Sequence, residues 1–393
     1  MKKNILFVME SLGIGGAEKS LVTLLSLLDK EKYDVSLYLF KQEGAFMNQI
    51  PDWINIMPIS EDDKLNKNFK TDWFMYLKKG KLKRSYFSLK WLIKCVFSKY
   101  IKHEREYIGW RDQKHLYTNI DNKYDVAIGF LEKKTTYFVI DHVKADKKIA
   151  FMHTDYDAIP HDKKLDNKYF PFLDYLVVVS EHTKKTMLKH FPFMENKVIV
   201  IKNMISPKII KEMSKGKCDE LNDCNANLKI VTVGRLVPAK NIDSAIKILK
   251  IIRSNGIDAE WFVVGEGEER NNLQKQIIAN NLEDKFHLIG AKPNPYPYML
   301  NCDIYVQPSR WEGYGITVAE AKALCKPIVT SDIPEFKEQI NNKVNGLICE
   351  DIEEMHEKII KLYQNEQLQN MLIDNLNKEV INFNELRKFE TLL

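Results

Sequence analysis

Two short stretches hold side chains suited to chemistry on a phosphorylated substrate. In the first, Gly234, Arg235, Leu236, Val237, Pro238, Ala239, Lys240 and Asn241 follow the apolar run Lys229 to Val233 and precede a helical pattern from about Asp243. An arginine supplies a two-pronged donor and a lysine near a helix start a point charge, a pair that suits two linked phosphates. Alone, that spacing is also ordinary surface charge. In the second, Glu312, Gly313, Tyr314, Gly315, Ile316, Thr317, Val318, Ala319 and Glu320 follow the apolar run Asp303 to Gln307 and the turn Pro308 to Trp311. The free amides of Gly315, Ile316 and Thr317 at the helix start can donate to phosphate oxygens. Glu320, about one turn inside, can accept both hydroxyls of a ribose, and Glu312, ahead of the helix, can reach a sugar hydroxyl. Acids near a helix start also serve the helix dipole. That role does not explain two glycines and both acids together.

A third stretch begins the chain. The apolar run Asn4 to Met9 leads into Gly13, Gly15 and Gly16 and then a helix with Leu21, Leu24, Leu25 and Leu28 on one face. Such a turn lets backbone approach a phosphate closely. The third glycine of a dinucleotide fingerprint falls on Glu18 instead, which argues against a nicotinamide or flavin enzyme. By itself the stretch also reads as a plain glycine turn.

These residues need a scaffold that ends strands beside helix starts, and the apolar runs describe one. Six occur in the first half (Asn4 to Met9, Asp34 to Phe40, Asp125 to Phe130, Lys148 to Met152, Tyr175 to Val179, Lys197 to Ile201). Six more follow: Lys229 to Val233, Glu260 to Val264, Lys285 to Ile289, Asp303 to Gln307, Pro327 to Thr330 and Gly346 to Cys349. Short β-branched runs alternating with helical periodicity predict two doubly wound α/β domains with parallel sheets. The expected boundaries are 1–205 for the first domain, 206–228 for a polar connection, 229–370 for the second domain and 371–393 for a helical segment that could pack on either. No internal repeat is evident.

With 393 residues, 45% apolar and 29% charged, the chain can bury large cores. Its net charge of +5 is too small and mixed to indicate nucleic-acid binding. The charge is concentrated, however: Lys78 to Lys114 carries twelve Lys or Arg against three Asp or Glu, a local +9. In this basic insertion, at about 70–118, a helix would place Lys90, Lys94, Ser98, Lys102 and Arg105 opposite Leu89, Leu92, Ile93, Val96, Phe97 and Tyr100. That suits an anionic membrane surface, and equally an insertion whose apolar face packs on its own domain. The cysteines Cys95, Cys218, Cys224, Cys302, Cys325 and Cys349 show no paired spacing, which predicts a reduced compartment and no structural zinc. No apolar run reaches the ~18 residues of a membrane span, and the first run is too short for a secretion signal. The expected location is cytoplasmic, with peripheral attachment to the inner face of the cell membrane if the basic helix docks.

With those motifs in hand, the chain resembles the retaining GT-B glycosyltransferases of family 4. The resemblance rests on GRLVPAKN (Gly234 to Asn241), VVGEGEE (Val263 to Glu269), EGYGITVAEA (Glu312 to Ala321) and GIGGAEKS (Gly13 to Ser20). It implies two Rossmann-like domains facing each other across a cleft, a nucleotide-diphosphate sugar held mainly by the second, and an acceptor held mainly by the first. By position, Arg235 and Lys240 correspond to diphosphate-binding residues, Glu320 to the ribose ligand, Glu312 to the residue on the donor sugar, and His153 to a histidine beside that sugar. Gly265 and Gly267 either shape the base pocket or form a simple turn. Asp155 and Asp157 form an Asp-x-Asp, the metal signature of the other glycosyltransferase fold. The architecture argues against that role and assigns them to the acceptor side. Asn203-Met204 replaces the family's usual Asn-Gly, leaving Asn203 without an assignment.

The implied activity is retaining, metal-independent hexosyl transfer, without a cofactor, from a sugar nucleotide, with UDP the expected carrier. A saccharide or lipid-linked saccharide in bacterial surface polysaccharide or glycoconjugate synthesis is the expected acceptor. The competing readings are a sugar-nucleotide epimerase of the same architecture and an inactive membrane-associated scaffold.

Overall fold

The computed structural model describes residues 2–60, 63, 72–97, 110–379 and 384–393, with the side chains of 95–97 left aside. The chain forms two compact units, Met1–Lys202 with Asn384–Leu393, and Asn203–Phe383.

The first unit is built on seven parallel strands, β1 (Lys3–Met9), β2 (Tyr33–Leu39), β3 (Asn55–Ile56), β4 (Ile120–Gly129), β5 (Val143–Met152), β6 (Tyr175–Val178) and β7 (Val198–Val200), in the order β3-β2-β1-β4-β5-β6-β7. Ile5 to Met9 are fully buried, as a strand covered by helices on both faces requires. The order reverses between β1 and β4, so the carboxyl ends of these strands flank a crevice where open α/β sheets bind ligands. The second unit repeats the plan with β8 (Leu228–Val233), β9 (Ala259–Val264), β10 (Phe286–Gly290), β11 (Ile304–Gln307), β12 (Ile328–Ser331) and β13 (Leu347–Cys349), ordered β10-β9-β8-β11-β12-β13. Its reversal lies between β8 and β11. Every expected strand is present. The addition is β3, whose two residues are too few to show a period.

The helices that matter for function are α1 (Gly16–Leu27), α2 (Asp72–Lys78), α3 (Leu82–Phe97), α4 (Trp110–Gln113), α5 (Lys134–His142), α6 (Lys163–Tyr169), α7 (Glu181–His190), α8 (Ile242–Ser254), α9 (Ile316–Ala323) and α10 (Asn384–Leu392).

Three expectations need correction. The stretch 206–228 is not a bare connection. Ile210 and Leu221 on short helices, with Cys218 just ahead of the second, join the second unit's core with Tyr296, Met299 and Phe336. Single apolar residues among polar ones give too short a pattern to reveal such turns. The segment 371–393 is not one element. The helix Glu366–Lys378 belongs to the second unit, whereas α10 returns to the first, where Phe389 is buried against Phe7 and Phe151.

The third concerns the basic insertion, of which 98–109 lie outside the described residues. On α3, Lys90 and Lys94 are not free in solvent: each keeps about two-fifths of its side chain exposed but is tied to buried Asp112. Lys90 lies 2.9 Å from Asp112, and Lys94 also pairs with it, while Ser85, Ser88 and Trp91 are buried. Leu89 and Ile93 are the exposed ones. Burial works against the Asp112 carboxylate, but its two lysine partners prevail and hold its pKa below the ordinary value. Leaving that buried charge unpaired would cost more than exposing two aliphatic side chains.

Candidate active site

In the second unit the sequence-selected residues converge at the carboxyl ends of β8 and β11. Arg235 follows β8 and is exposed; among the described residues its side chain makes no hydrogen bond or ion pair. Lys240 sits five residues on, in a 3-10 turn closed by Asn241, whose φ of 55° lies in the left-handed region before α8. The Lys240 ammonium donates to both oxygens of Glu312, at 2.6 and 2.7 Å, with both side chains largely buried. The two groups expected to hold diphosphate and sugar therefore hold each other. Ser309 donates to the same Glu312 oxygen at 2.7 Å, and Ser309 accepts from Gln307, which accepts from Tyr305. A buried relay thus fixes the carboxylate from behind.

The two loops are stitched together. Asn241 donates to the Pro308 carbonyl at 2.9 Å, the Arg310 amide donates to the Ala239 carbonyl at 2.8 Å, and Arg310 forks onto Asp243. Arg310, Asp243, Ser309 and Gln307 were not evident from the sequence. The only signal was their place in strand-end turns.

Gly315 precedes α9 with φ of 81°, and a Cβ there would fall 2.6 Å from the Phe336 ring. Only glycine fits that entry. Beyond it the opening amides of α9, at Ile316 and Thr317, point out of the helix at its positive end. Glu320 is 1% exposed, with the Tyr296 hydroxyl donating to it at 3.1 Å; burial, and then this carboxylate, push the Tyr296 pKa up. Tyr296 precedes Glu320 by too many residues for local spacing to join them.

Gly265 and Gly267 act on the Arg235 loop. A Cβ on Gly265 would fall 1.8 Å from the Gly234 carbonyl oxygen, and one on Gly267 would fall 2.3 Å from that of Leu236. Their hydrogen atoms allow the loop after β9 to lie against the loop after β8.

In the first unit, Gly15 and Gly16 start α1 at the end of β1, and Gly13 stands in open space. Beside them Lys134 pairs with Glu10 at 3.1 Å and covers the Phe40 ring at 3.9 Å. His153 follows β5, its ring against Phe130 and Phe151 and its amide donating to Glu132 at 3.2 Å. The Asp155 carboxylate is buried 3.6 Å from His182, in the first turn of α7. Asp157 instead pairs with His190, at 2.5 Å, and Lys189 in the last turn of α7. An α-helix of ten residues runs about 15 Å. The two carboxylates thus pair with opposite ends of α7, while the Asp157 amide donates to Asp155 Oδ1 at 2.9 Å.

Beneath this loop Tyr137 and Tyr156 donate to buried Asp166, and His161 stacks on Tyr156 at 3.9 Å. Burial raises the Asp166 pKa to about 6 and lowers that of His161 to about 3. Asn203 opens the second unit.

The fold is that of the GT-B glycosyltransferases. A crystal structure of Anabaena HepE in complex with UDP superposes with a TM-score of 0.67 at 17% identity, covering 100% of this chain and 99% of that one. WaaG, a glycosyltransferase involved in lipopolysaccharide biosynthesis, gives 0.64 at 13% identity over 98% and 99%. Residues 222–379 match the family model for glycosyl transferases group 1. Among curated relatives, an uncharacterized glycosyltransferase of Haemophilus influenzae is 33% identical over 145 residues, 36% of this chain and 41% of that protein. The capsular polysaccharide biosynthesis glycosyltransferase CapM of Staphylococcus aureus is 31% identical over 161 residues, 40% and 42% respectively. The chain thus spans about two-fifths of the length of these relatives.

Proposed function

We propose that the protein is a glycosyltransferase that moves a hexosyl group from a nucleoside-diphosphate sugar to a hydroxyl of a saccharide acceptor, with retention at the anomeric carbon. The observation that carries this reading is the convergence of Arg235, the Lys240–Glu312 pair, the start of α9 and buried Glu320 at one sheet edge, inside the segment that matches the family model. UDP is the proposed carrier, in line with the nucleotide bound to HepE. Surface polysaccharide synthesis is the proposed setting, in line with the names of CapM and WaaG.

In this mechanism the bond from the anomeric carbon to the diphosphate oxygen breaks, and the electron pair stays on phosphate. Arg235, Lys240 and the first amides of α9 stabilise that growing charge, so the reading requires no metal ion. The acceptor oxygen forms the new bond on the face the phosphate leaves, and its proton passes to the departing phosphate. Glu320 holds the ribose. The incoming diphosphate draws Lys240 from Glu312, which turns to a sugar hydroxyl. The first unit is the proposed carrier of the acceptor, with Gly15 and Gly16 at the end of β1 and His153 at the end of β5.

Thermal melting with UDP-, GDP-, ADP- and TDP-sugars tests the donor, followed by product mass with saccharide acceptors. A melting rise with one nucleotide sugar, lost in Glu320→Gln, is expected. Indifference to every donor would sink the proposal. An altered sugar in the free nucleotide, without transfer, would favour an epimerase.

A further inference from the structure

The outward face of α2 and α3 lies outside the residues assigned to the proposed transfer. Leu82, Tyr86, Leu89 and Ile93 recur at helical spacing on one stripe of α3 and are 69%, 61%, 36% and 48% exposed. Phe74 and Leu77 of α2 are 45% and 44% exposed. A soluble helix normally turns such a stripe inward; here Asp112 holds the lysine flank instead, and Ser85, Ser88 and Trp91 face the protein.

At the start of the stripe lies an open pocket of about 470 Å³, with Lys81, Lys83, Arg84, Lys114 and His115 among its lining. No carboxylate lines it among the described residues. Asp63 lies 3.6 Å from Arg84 and Asp141 3.5 Å from Lys114. Burial, and then Lys114 and Lys83, hold the His115 pKa below its ordinary value against the opposing pull of Asp112 and Asp141. Leu82 both lines the pocket and begins the stripe, so an anion seated there would have apolar surface running from its side.

We propose that this face docks on the anionic headgroup layer of a lipid bilayer, with the pocket taking a lipid phosphate and the stripe entering the boundary of the acyl chains. Phosphate beside hydrocarbon is the chemistry of a phospholipid, and the positive pocket selects the anionic kind. The proposal does not depend on the transfer reading, because its readout is partition alone.

Cosedimentation of the full chain with phosphatidylcholine vesicles, with and without phosphatidylglycerol, tests it. Binding is expected only with phosphatidylglycerol, falling steeply as salt rises. Lys81→Gln with Lys83→Gln should weaken it about thirtyfold, from the usual contribution of a lysine near such a surface. Leu89→Ser with Ile93→Ser should weaken it comparably at an unchanged melting temperature, since both side chains are already exposed. Millimolar inorganic phosphate alone should not release the protein, which separates the lipid surface from a site for free phosphate. Release by phosphate, equal binding to both vesicles, no binding, or wild-type binding by the serine variant would each overturn the proposal. So would a serine variant that loses self-association while keeping vesicle binding, since the stripe would then be a protein interface.

Discussion

At the scale of single residues, the informative feature is that Lys240 and Glu312 satisfy each other. A buried pair of this kind is costly to break one-sidedly, because the remaining charge is left without a partner. Lys240→Ala therefore mixes lost binding with lost stability, whereas Glu312→Gln keeps an amide oxygen that can still accept from the ammonium and is the cleaner probe. It removes a negative charge beside the proposed diphosphate and loosens the hold on the ammonium. UDP should bind several-fold more tightly, by calorimetry, while kcat falls by about two orders of magnitude because a contact strengthened in the transition state is lost. Weaker UDP binding would show that the glutamate supports the diphosphate site.

His161 gives a pH test at the same scale. Its folded pKa of about 3 lies below the ordinary value of 6.5, so the unfolded chain binds the proton more readily. Its contribution is intact above pH 6.5 and is lost as the pH falls toward 3. Asp166, raised to about 6, acts in the opposite sense, favouring the folded state as the pH drops through 6. Subtracting wild type from His161→Phe isolates the histidine, since phenylalanine keeps the stack on Tyr156. The stability difference from urea unfolding should move by about 2 kcal/mol in favour of the variant between pH 7 and pH 5. A flat difference would mean that His161 charges without cost.

At the scale of elements, the site depends on loops that touch because glycine permits it. For Gly265 and Gly267, which the sequence offers as a base pocket or a turn, the close approach to Gly234 and Leu236 favours support of the Arg235 loop. Gly265→Ala forces the two loops apart. It should cost about 1–3 kcal/mol in stability and weaken UDP binding through Arg235, without touching Glu320. Retained UDP affinity at lowered stability would separate packing from function.

At the scale of the whole molecule, α10 leaves the second unit's sequence neighbourhood to complete the first. Phe389 is fully buried with its ring 6.3 Å from Phe7 and 6.1 Å from Phe151, Lys3 and Lys147 donate to the last backbone oxygens, and the Lys202 amide donates to Glu385. The first unit is thus assembled from both ends of the chain. Phe389→Ala should destabilise it by about 3–5 kcal/mol. Residues 1–202 expressed alone should unfold at lower temperature than the full chain and recover on addition of a peptide spanning 384–393. Equal melting of the fragment and the full chain would show that α10 adds no stability.

The sequence by itself determined the two parallel sheets, because strands buried on both faces need continuous apolar runs that no other element would use. It also singled out Arg235, Lys240, Glu312, Gly315 and Glu320, the residues of the proposed donor site, since loops at strand ends keep their chemistry within a few residues of one another. Tertiary structure alone decided what lies far apart in the chain: Tyr296 against Glu320, Lys240 against Glu312, and α10 against β1 and β5. It also decided the orientation of α3. An amphipathic pattern states that a helix has two faces, but that Ser85, Ser88 and Trp91 turn inward while Lys90 and Lys94 are tied to Asp112 was decided only by folding.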